Sequence, residues 1–481
     1  MKALDRQKKT KKLRCTWYPT RPYEAKQDHV FAWLDDLPSQ EKTHLIEQIT
    51  SIDLKLVHKL YSDYAEKVAY IPEHNLVPSP VINIPKDVAD LKNERIAKKI
   101  GEYSLQKGEI AVITVAGGDG TRLGCNGTKG SLPIAPISQK SIFQLHAEKI
   151  CALQQRYATK IPWYIMTSKT NEQFTQNFFN IHQHFGLDCD QIRLFTQGML
   201  PVLNLHGKIL MNSRSNIVMS PNGHGGLISA LQDAGIFYDM KMRGIKYVFY
   251  HQVDNVLTKI ADPVFIGYHI KESADMSLKV VKKRHPDEKV GVVACVDGKL
   301  RVVEYSELSR ENMYAKNNDG YLKFDAGNIA VHMISTGFLE KVCQQSEKML
   351  PYHTAVKIVP YIDEHGSLIR PEKNNALKFE RFIFDMLKHA GKCVVMEVKR
   401  EEEFSPVKNR VGEDSPITAM RDMVNLFGKL LNQAGMFVPV DNYGNVSGLI
   451  EINPSLALDE EALRNKIQYK QFPSNRFLYL E

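Results

Sequence analysis

The chain contains no run of about 18 consecutive apolar residues, the length a membrane-crossing helix requires, so no membrane partner is expected. Cysteine is sparse and unpatterned. Its seven copies, Cys15, Cys125, Cys151, Cys189, Cys295, Cys343 and Cys393, are odd in number, irregular in spacing and without a CxxC pair. A disulfide framework or a zinc site is therefore not expected, and a reducing cytoplasmic setting is. His182 and His184 have no partner ligands beside them and read as packing rather than as a metal site. The opening stretch MKALDRQKKTKKLRCTWYP carries positive charge with no apolar segment behind it, which argues against a secretory signal. Also missing is any arginine-rich stripe interleaved with aromatics. The formal charge of +8 leaves two partner classes open, nucleic acid and anionic small molecules. Much of that excess lies in the first fourteen residues and reads as a solvated tail, so no nucleic-acid partner is expected.

What is present is an ordinary globular balance, 43% apolar and 25% charged, over 481 residues, enough for two or three domains. Residues 1–106 read as a mainly helical region, 107–405 as an alternating strand–helix domain and 406–481 as a small C-terminal domain. Within the middle stretch, EIAVITVAGG, IPWYIMTS, IRLFTQ, KYVFYHQVDN, SLKVVKK and CVVMEV predict strands. Between them, SIFQLHAEKICALQQRY predicts a helix opened by Ser141 with Gln144 in capping-box position. NEQFTQNFFNIHQHF predicts another, with Phe174, Phe178, Ile181 and Phe185 along its apolar side. GGLISALQDAGIFYDMKMRG reads as one helix, and ADPVFIGYHIKES as a helix capped by Asp262 with Pro263 in its first turn. VGVVACVDGKLRVVEYSE predicts a hairpin folded at Asp297-Gly298. ALKFERFIFDMLKHA predicts an amphipathic helix with Phe379, Phe382, Ile383, Met386 and Leu387 inward. The sum is an α/β fold with a doubly wound mixed sheet, an antiparallel insert, a helical N-terminal region and a small C-terminal domain.

The most informative stretch is Val115-Ala116-Gly117-Gly118-Asp119-Gly120-Thr121-Arg122-Leu123-Gly124, followed by Thr128-Lys129-Gly130. It stands where a strand hands over to a loop, the edge at which open α/β sheets bind ligands. Glycines let backbone N–H groups crowd around phosphate oxygens, and Arg122 and Lys129 add the positive charge a triphosphate needs. Neither glycine cluster supplies the GxxxxGK[ST] of a P-loop. The spacing of Gly118, Gly120 and Gly124 is one residue too long for the dinucleotide fingerprint, and the next strand ends Met166-Thr167-Ser168 rather than in a carboxylate.

In order over roughly residues 27–455, the chain resembles the eukaryotic-type UDP-N-acetylhexosamine pyrophosphorylases, within the wider UDP-sugar pyrophosphorylase group. The segments that carry the likeness include AGGDGTRLG, FTQGMLP, SPNGHGGL, VDNVLTKIADPVFIGY, VVEYSE, FDAGNIA, LKFERFIFD and EEEFSPVKN. The resemblance implies a Rossmann-like nucleotidyltransferase that joins UTP to a sugar 1-phosphate with Mg²⁺ and releases pyrophosphate. By it, Ala116, Gly117, Gly118 and Asp119 hold UTP, with Arg122 and Lys129 facing the phosphates. Gln197 and Gly223 match residues that recognise uracil, and Asp254 matches the Mg²⁺ ligand. His224, Gly291, Glu304, Tyr305 and Asn328 match sugar-binding positions, while Lys378 and Lys408 match lysines that reach the phosphates. Arg122, Lys129 and Lys408 carry the catalytic expectation.

Two positions depart from the family pattern. Thr128 stands where the family usually has proline before the loop lysine, and His224 where it has the asparagine of Gly-Asn-Gly-Gly. The first bears on loop stiffness and the second on sugar choice and pH profile. N-acetylglucosamine or N-acetylgalactosamine 1-phosphate is the expected substrate, with glucose 1-phosphate as the alternative.

Overall fold

The computed structural model describes residues 26–66, 76–118, 120–124, 127–467 and 471–481, with the side chains of Thr121, Arg122 and Glu347 outside that description. Two compact units emerge. The smaller takes the described residues of 26–66, 198–223 and 352–382; the larger takes those of 76–197, 224–351 and 383–481.

In the larger unit a 10-stranded mixed sheet is built from β1 (Leu76–Pro78), β2 (Ile110–Val115), β3 (Trp163–Thr167), β4 (Ile192–Thr196), β5 (Tyr247–Gln252), β6 (Met276–Lys282), β7 (Val292–Val296), β8 (Lys299–Val303), β9 (Ala326–Ser335) and β10 (Cys393–Glu397). The main path runs β1-β7-β9-β5-β2-β3-β4, with β6 between β9 and β10, and β8 on β7. Strands β5, β2, β3 and β4 are parallel, as are β6 and β10, whereas β9 runs antiparallel to β5, β6 and β7. Covered on both faces, β2 and β3 read as near-continuous apolar runs rather than as alternating ones, with buried Thr114 and Thr167 as the exceptions, and all five residues of β3 are buried. The β7–β8 hairpin turns at Asp297 (φ 50°) and Gly298 (φ 75°), the pair of positive φ values that a two-residue hairpin turn needs.

The covering helices include α1 (Val88–Gln106), α2 (Ile142–Tyr157), α3 (Glu172–Ile181) and α4 (Pro263–Lys271). Ser141 caps α2 by accepting from Gln144 N–H, but the reciprocal arm of the expected capping box is missing because the Gln144 amide is turned to Glu148. Asp262 caps α4 through Val264 N–H, as expected. Helices α1 and α4 touch backbone to backbone. A Cβ on Gly101 would lie 1.9 Å from Pro263 O, and one on Gly267 1.7 Å from Ala97 O. Phe143, Trp163 and Phe179 form an edge-to-face aromatic cluster under α2 and α3.

Three local expectations are corrected. The helix expected over 171–185 ends at Ile181, because His184 and Phe185 turn left-handed; its buried residues are Thr175 and Phe179, while Phe174 and Ile181 are exposed. The stretch from Leu227 to Met242 is two short helices, broken at Gly235 in a left-handed conformation. Ala376–Glu380, read as the start of a helix, is a strand between His353–Lys357 and Leu203–Asn204; only Ile383–His389 is helical, as 3-10 turns. Its ladder partners lie remote in sequence, and pairing with them overrides the local period.

The smaller unit packs helices Ser39–Ser51 and Leu54–Glu66 on that three-stranded sheet, around Leu45, Ile49, Val57, Leu203, Leu377 and Phe379. At the C-terminal end of the larger unit, α5 (Pro416–Gln433) opens on a full capping box formed by Ser415 and Thr418.

Candidate active site

The loop after β2 is held at both ends. Ala116 N–H donates to Met166 O (2.8 Å), and the buried Asn171 amide donates to Ala116 O (3.0 Å) while accepting from Ser168 N–H (2.9 Å). Gly117 allows a close approach that no other residue would: a Cβ there would lie 2.6 Å from Gln197 Oε1. Gln197 is buried and anchored by its own N–H to Thr167 O (2.9 Å), so its amide is presented beside the loop. The Lys129 stem runs along Gly118, and Gly120 N–H closes the loop on Gly127 O (2.9 Å). Asp119 and the Arg122 side chain lie outside the described residues.

Thr128 does more than fill the place of a proline. Fully buried, it caps the 3-10 turn Lys129–Ser131, its Oγ1 accepting from Gly130 N–H (3.1 Å). The departure from the family pattern thus keeps the turn fixed by a hydrogen bond instead of a ring.

Lys129 Nζ donates to Asp254 Oδ2 (2.9 Å) and to Val407 O (3.3 Å), which joins the glycine loop, the end of β5 and the segment after β10 at one point. The Asp254 turn is clamped from two sides. From α2, His146 Nε2 donates to Val253 O (3.0 Å), and the Lys149 ammonium donates to Val256 O (2.7 Å) and Thr258 O (3.0 Å). Burial of that ammonium pulls its pKa down to about 8. From the other side, Asn255 Nδ2 donates to Glu403 O (2.7 Å), its Oδ1 accepts from Ser405 N–H (3.0 Å), and Val407 N–H donates to Asp254 O (2.9 Å). Behind them, fully buried Lys279 bridges Glu403 (2.6 Å) and Asp262 (2.7 Å). Lys408 follows directly, exposed, its ammonium 5.7 Å from the Phe404 ring centre.

Three of the residues matched to the sugar come together. A Cβ on Gly291 would be 3.2 Å from Glu304 Oε1, and Gly291 O accepts from Asn328 N–H (2.8 Å). Tyr305 follows Glu304 and is exposed. His224 stands against Phe384, ring centres 5.5 Å apart, and its Nδ1 accepts from Ile383 N–H (3.2 Å). An amide N–H only donates, so in this arrangement the imidazole carries its proton on Nε2. Gly223 and Lys378 belong to the smaller unit. A Cβ on Gly223 (φ 82°) would lie 2.5 Å from Arg381 O, and Lys378 is a half-buried residue of the strand Ala376–Glu380.

Sequence reasoning missed Asn171, Lys149, Asn255, Lys279 and Glu403. Asn255 was within reach, standing beside the singled-out Asp254. Lys279 carries no local signal, since a lysine in SLKVVKK reads as solvent-facing.

The UTP–glucose-1-phosphate uridylyltransferase family profile matches residues 54–432. UDP-N-acetylhexosamine pyrophosphorylase-like protein 1 of Mus musculus is 36% identical over 483 aligned positions, covering 94% of this chain and 94% of its own. The UDP-N-acetylglucosamine pyrophosphorylase of Saccharomyces cerevisiae is 38% identical over 432 residues, covering 86% of this chain and 91% of its own. The crystal structure of the uridine diphosphate N-acetylglucosamine pyrophosphorylase of Trypanosoma brucei superposes with a TM-score of 0.80 at 28% identity, covering 96% of this chain and 97% of that one. With its glycine loop, its Lys129–Asp254 junction and these likenesses over most of its length, the chain belongs to the UTP–glucose-1-phosphate uridylyltransferase family.

Proposed function

We propose that this protein transfers the uridylyl group of UTP to an N-acetylhexosamine 1-phosphate, with release of pyrophosphate, in a Mg²⁺-dependent reaction of the cytoplasm. The observation that carries the reading is the meeting of Lys129 with Asp254 at the mouth of a glycine loop backed by the Gln197 amide. The relatives' names favour the acetylated sugar. Described cysteines 151, 189, 295, 343 and 393 are all free thiols, which supports a reducing compartment, and among the described residues no helix is long and apolar enough to cross a membrane.

Chemically, an oxygen of the sugar phosphate attacks the α-phosphorus of UTP in line, the bond to the β-phosphate's bridging oxygen breaks, and pyrophosphate departs with that electron pair. No protein nucleophile is needed. Lys129 and Arg122 neutralise the departing pyrophosphate, Lys408 neutralises the incoming phosphate, and Gln197 reads the imide edge of uracil. Among the described residues no group of three or more His, Cys, Asp or Glu could hold a metal. Mg²⁺ is commonly held by one or two carboxylates, with waters and substrate phosphates completing the shell, so Asp254 fits it. Bound there, Mg²⁺ would supply charge neutralisation at the reacting phosphates.

The test is pyrophosphate release from UTP, ATP, CTP or GTP with N-acetylglucosamine, N-acetylgalactosamine or glucose 1-phosphate. UTP with an acetylated sugar is expected to dominate. Indifference to the base removes the uracil assignment, and a preference for glucose 1-phosphate transfers the reading to the unmodified sugar. A Gly117→Ala variant addresses Gln197 directly. Its new methyl must displace the flexible amide, so the KM for UTP is expected to rise roughly tenfold, on the scale of one hydrogen bond lost. Equal KM values in wild type and variant would separate Gln197 from the base.

A further inference from the structure

We propose that Arg410 is a polyphosphate-binding residue, which closes over the glycine loop and grips the pyrophosphate portion of UTP. The inference rests on the uridylyltransferase reading and adds a cation to its site. A Cβ built on Gly124 (φ 75°) would lie 3.5 Å from Arg410 Cζ, 3.6 Å from Nε and 3.7 Å from Nη1. Three nearly equal distances mean that the flat face of the guanidinium lies over this glycine. Its edge, which bears the N–H groups, is left for another partner. Any side chain at residue 124 would meet both a left-handed backbone and the arginine above it.

The perch is built rather than incidental. Lys408 N–H and Asn409 N–H both donate to Asp414 O (2.7 and 2.9 Å), and the Asn409 amide donates to Glu413 O (2.8 Å), closing a turn with Arg410 near its tip. One end of the turn is tied to the Asp254 carbonyl through Val407 N–H, and the other runs into the capping box of α5. Two cations, Lys408 and Arg410, therefore stand on one anchored turn beside the phosphate loop. They differ from Lys129 in a useful way. Lys129 is engaged with Asp254, whereas among the described residues Arg410 has no hydrogen-bond or ion-pair partner. A guanidinium pre-set over the glycine loop, with its fork unused, matches two oxygens of a phosphate.

The test uses the full chain and its Arg410→Ala and Arg410→Lys variants. Calorimetric titration with inorganic pyrophosphate gives binding without turnover, and steady-state kinetics give constants for UTP, pyrophosphate, sugar 1-phosphate and UDP-sugar. For Arg410→Ala, pyrophosphate binding is expected to weaken and the KM for UTP to rise by about tenfold or more, the loss of a charge-assisted pair. Arg410→Lys should fall between. Constants for sugar 1-phosphate and UDP-sugar, neither of which carries the leaving pyrophosphate, should stay within about twofold, the scatter of a distant substitution. Unchanged pyrophosphate binding in the alanine variant overturns the proposal. So does a common shift of all four constants, which marks a folding effect. If the wild type releases no pyrophosphate from UTP with any sugar phosphate, the uridylyltransferase reading fails, and the calorimetric comparison still judges Arg410.

Discussion

Acidification from pH 7 to 5.5 is expected to destabilise the larger unit by several kcal/mol, on the order of 1 kcal/mol for each of three buried histidines, with a fourth acting in the same direction. His146, His251, His269 and His332 are fully buried. Burial pushes His251 and His332 down to about 3 and His269 to about 4, and holds His146 well below the usual imidazole value. Their neighbours suit neutral rings. His251 meets the Thr114 hydroxyl (2.8 Å), His269 lies between the Ser277 and Ser335 hydroxyls (2.7 and 3.0 Å), and both ring nitrogens of His332 lack partners among the described residues. Folded pKa values are lowered, so below about 6.5 the unfolded chain binds more protons. Stability is therefore present above that pH and falls until the folded values near 3–4 are reached. The raised carboxyls of Glu94, Asp325 and Asp414 act in the opposite sense, but they start from lower ordinary values, 4.5 for Glu94 and 3.8 for the two aspartates. Denaturant midpoints at the two pH values decide the matter. Coincident midpoints would mean that these rings are not held neutral by the fold. Against a typical domain stability of 5–15 kcal/mol, the expected loss is enough to bring unfolding into view.

Lys129→Ala is expected to lower kcat by at least about a hundredfold, the range for removing a charge donor aimed at a developing anion. The structure adds a second reason. The ammonium is the only hydrogen-bond donor to the Asp254 carboxylate among the described side chains, and it also ties the Val407 carbonyl that precedes Lys408. On the mechanism proposed above, its removal would take a positive charge from the departing pyrophosphate, and it frees the Asp254 carboxylate and the Val407 carbonyl that it now joins. The KM for sugar 1-phosphate should move far less than kcat, because the residues matched to the sugar gather around Gly291, Glu304 and Asn328. Turnover within a few-fold of wild type would exclude Lys129 from the chemistry.

Much of this architecture was legible where a local rule and the tertiary outcome agree. EIAVITVAGG is a buried strand because apolar β-branched residues suit a two-sided sheet, and Asp262-Pro263 and Asp297-Gly298 satisfy their helix start and hairpin through their own backbone requirements. Illegibility came with distance. Phe379, Phe382 and Ile383 fit a helical stripe, whereas Leu377 and Phe379 share a strand's inner face, and only the remote partners at His353–Lys357 and Leu203–Asn204 decide between the two readings. Gln144 has the right spacing for a capping box but finds Glu148 instead. At the site, the glycine loop and Asp254 announce themselves through residue type. Asn255, Lys149 and Lys279 do not, because their work is to hold backbone carbonyls and a buried carboxylate contributed by segments far along the chain.

The glycine contact between α1 and α4 reaches further than its chemistry suggests. One added carbon at residue 101 must push on Pro263, the neighbour of Asp262. Asp262 grips Lys279, Lys279 grips Glu403, and the Glu403 carbonyl holds the asparagine next to Asp254. Inherited variation would thus be filtered at a position with no functional group at all, and a harmless-looking methyl on an outer helix would disturb the Asp254 turn as surely as an error in the glycine loop itself.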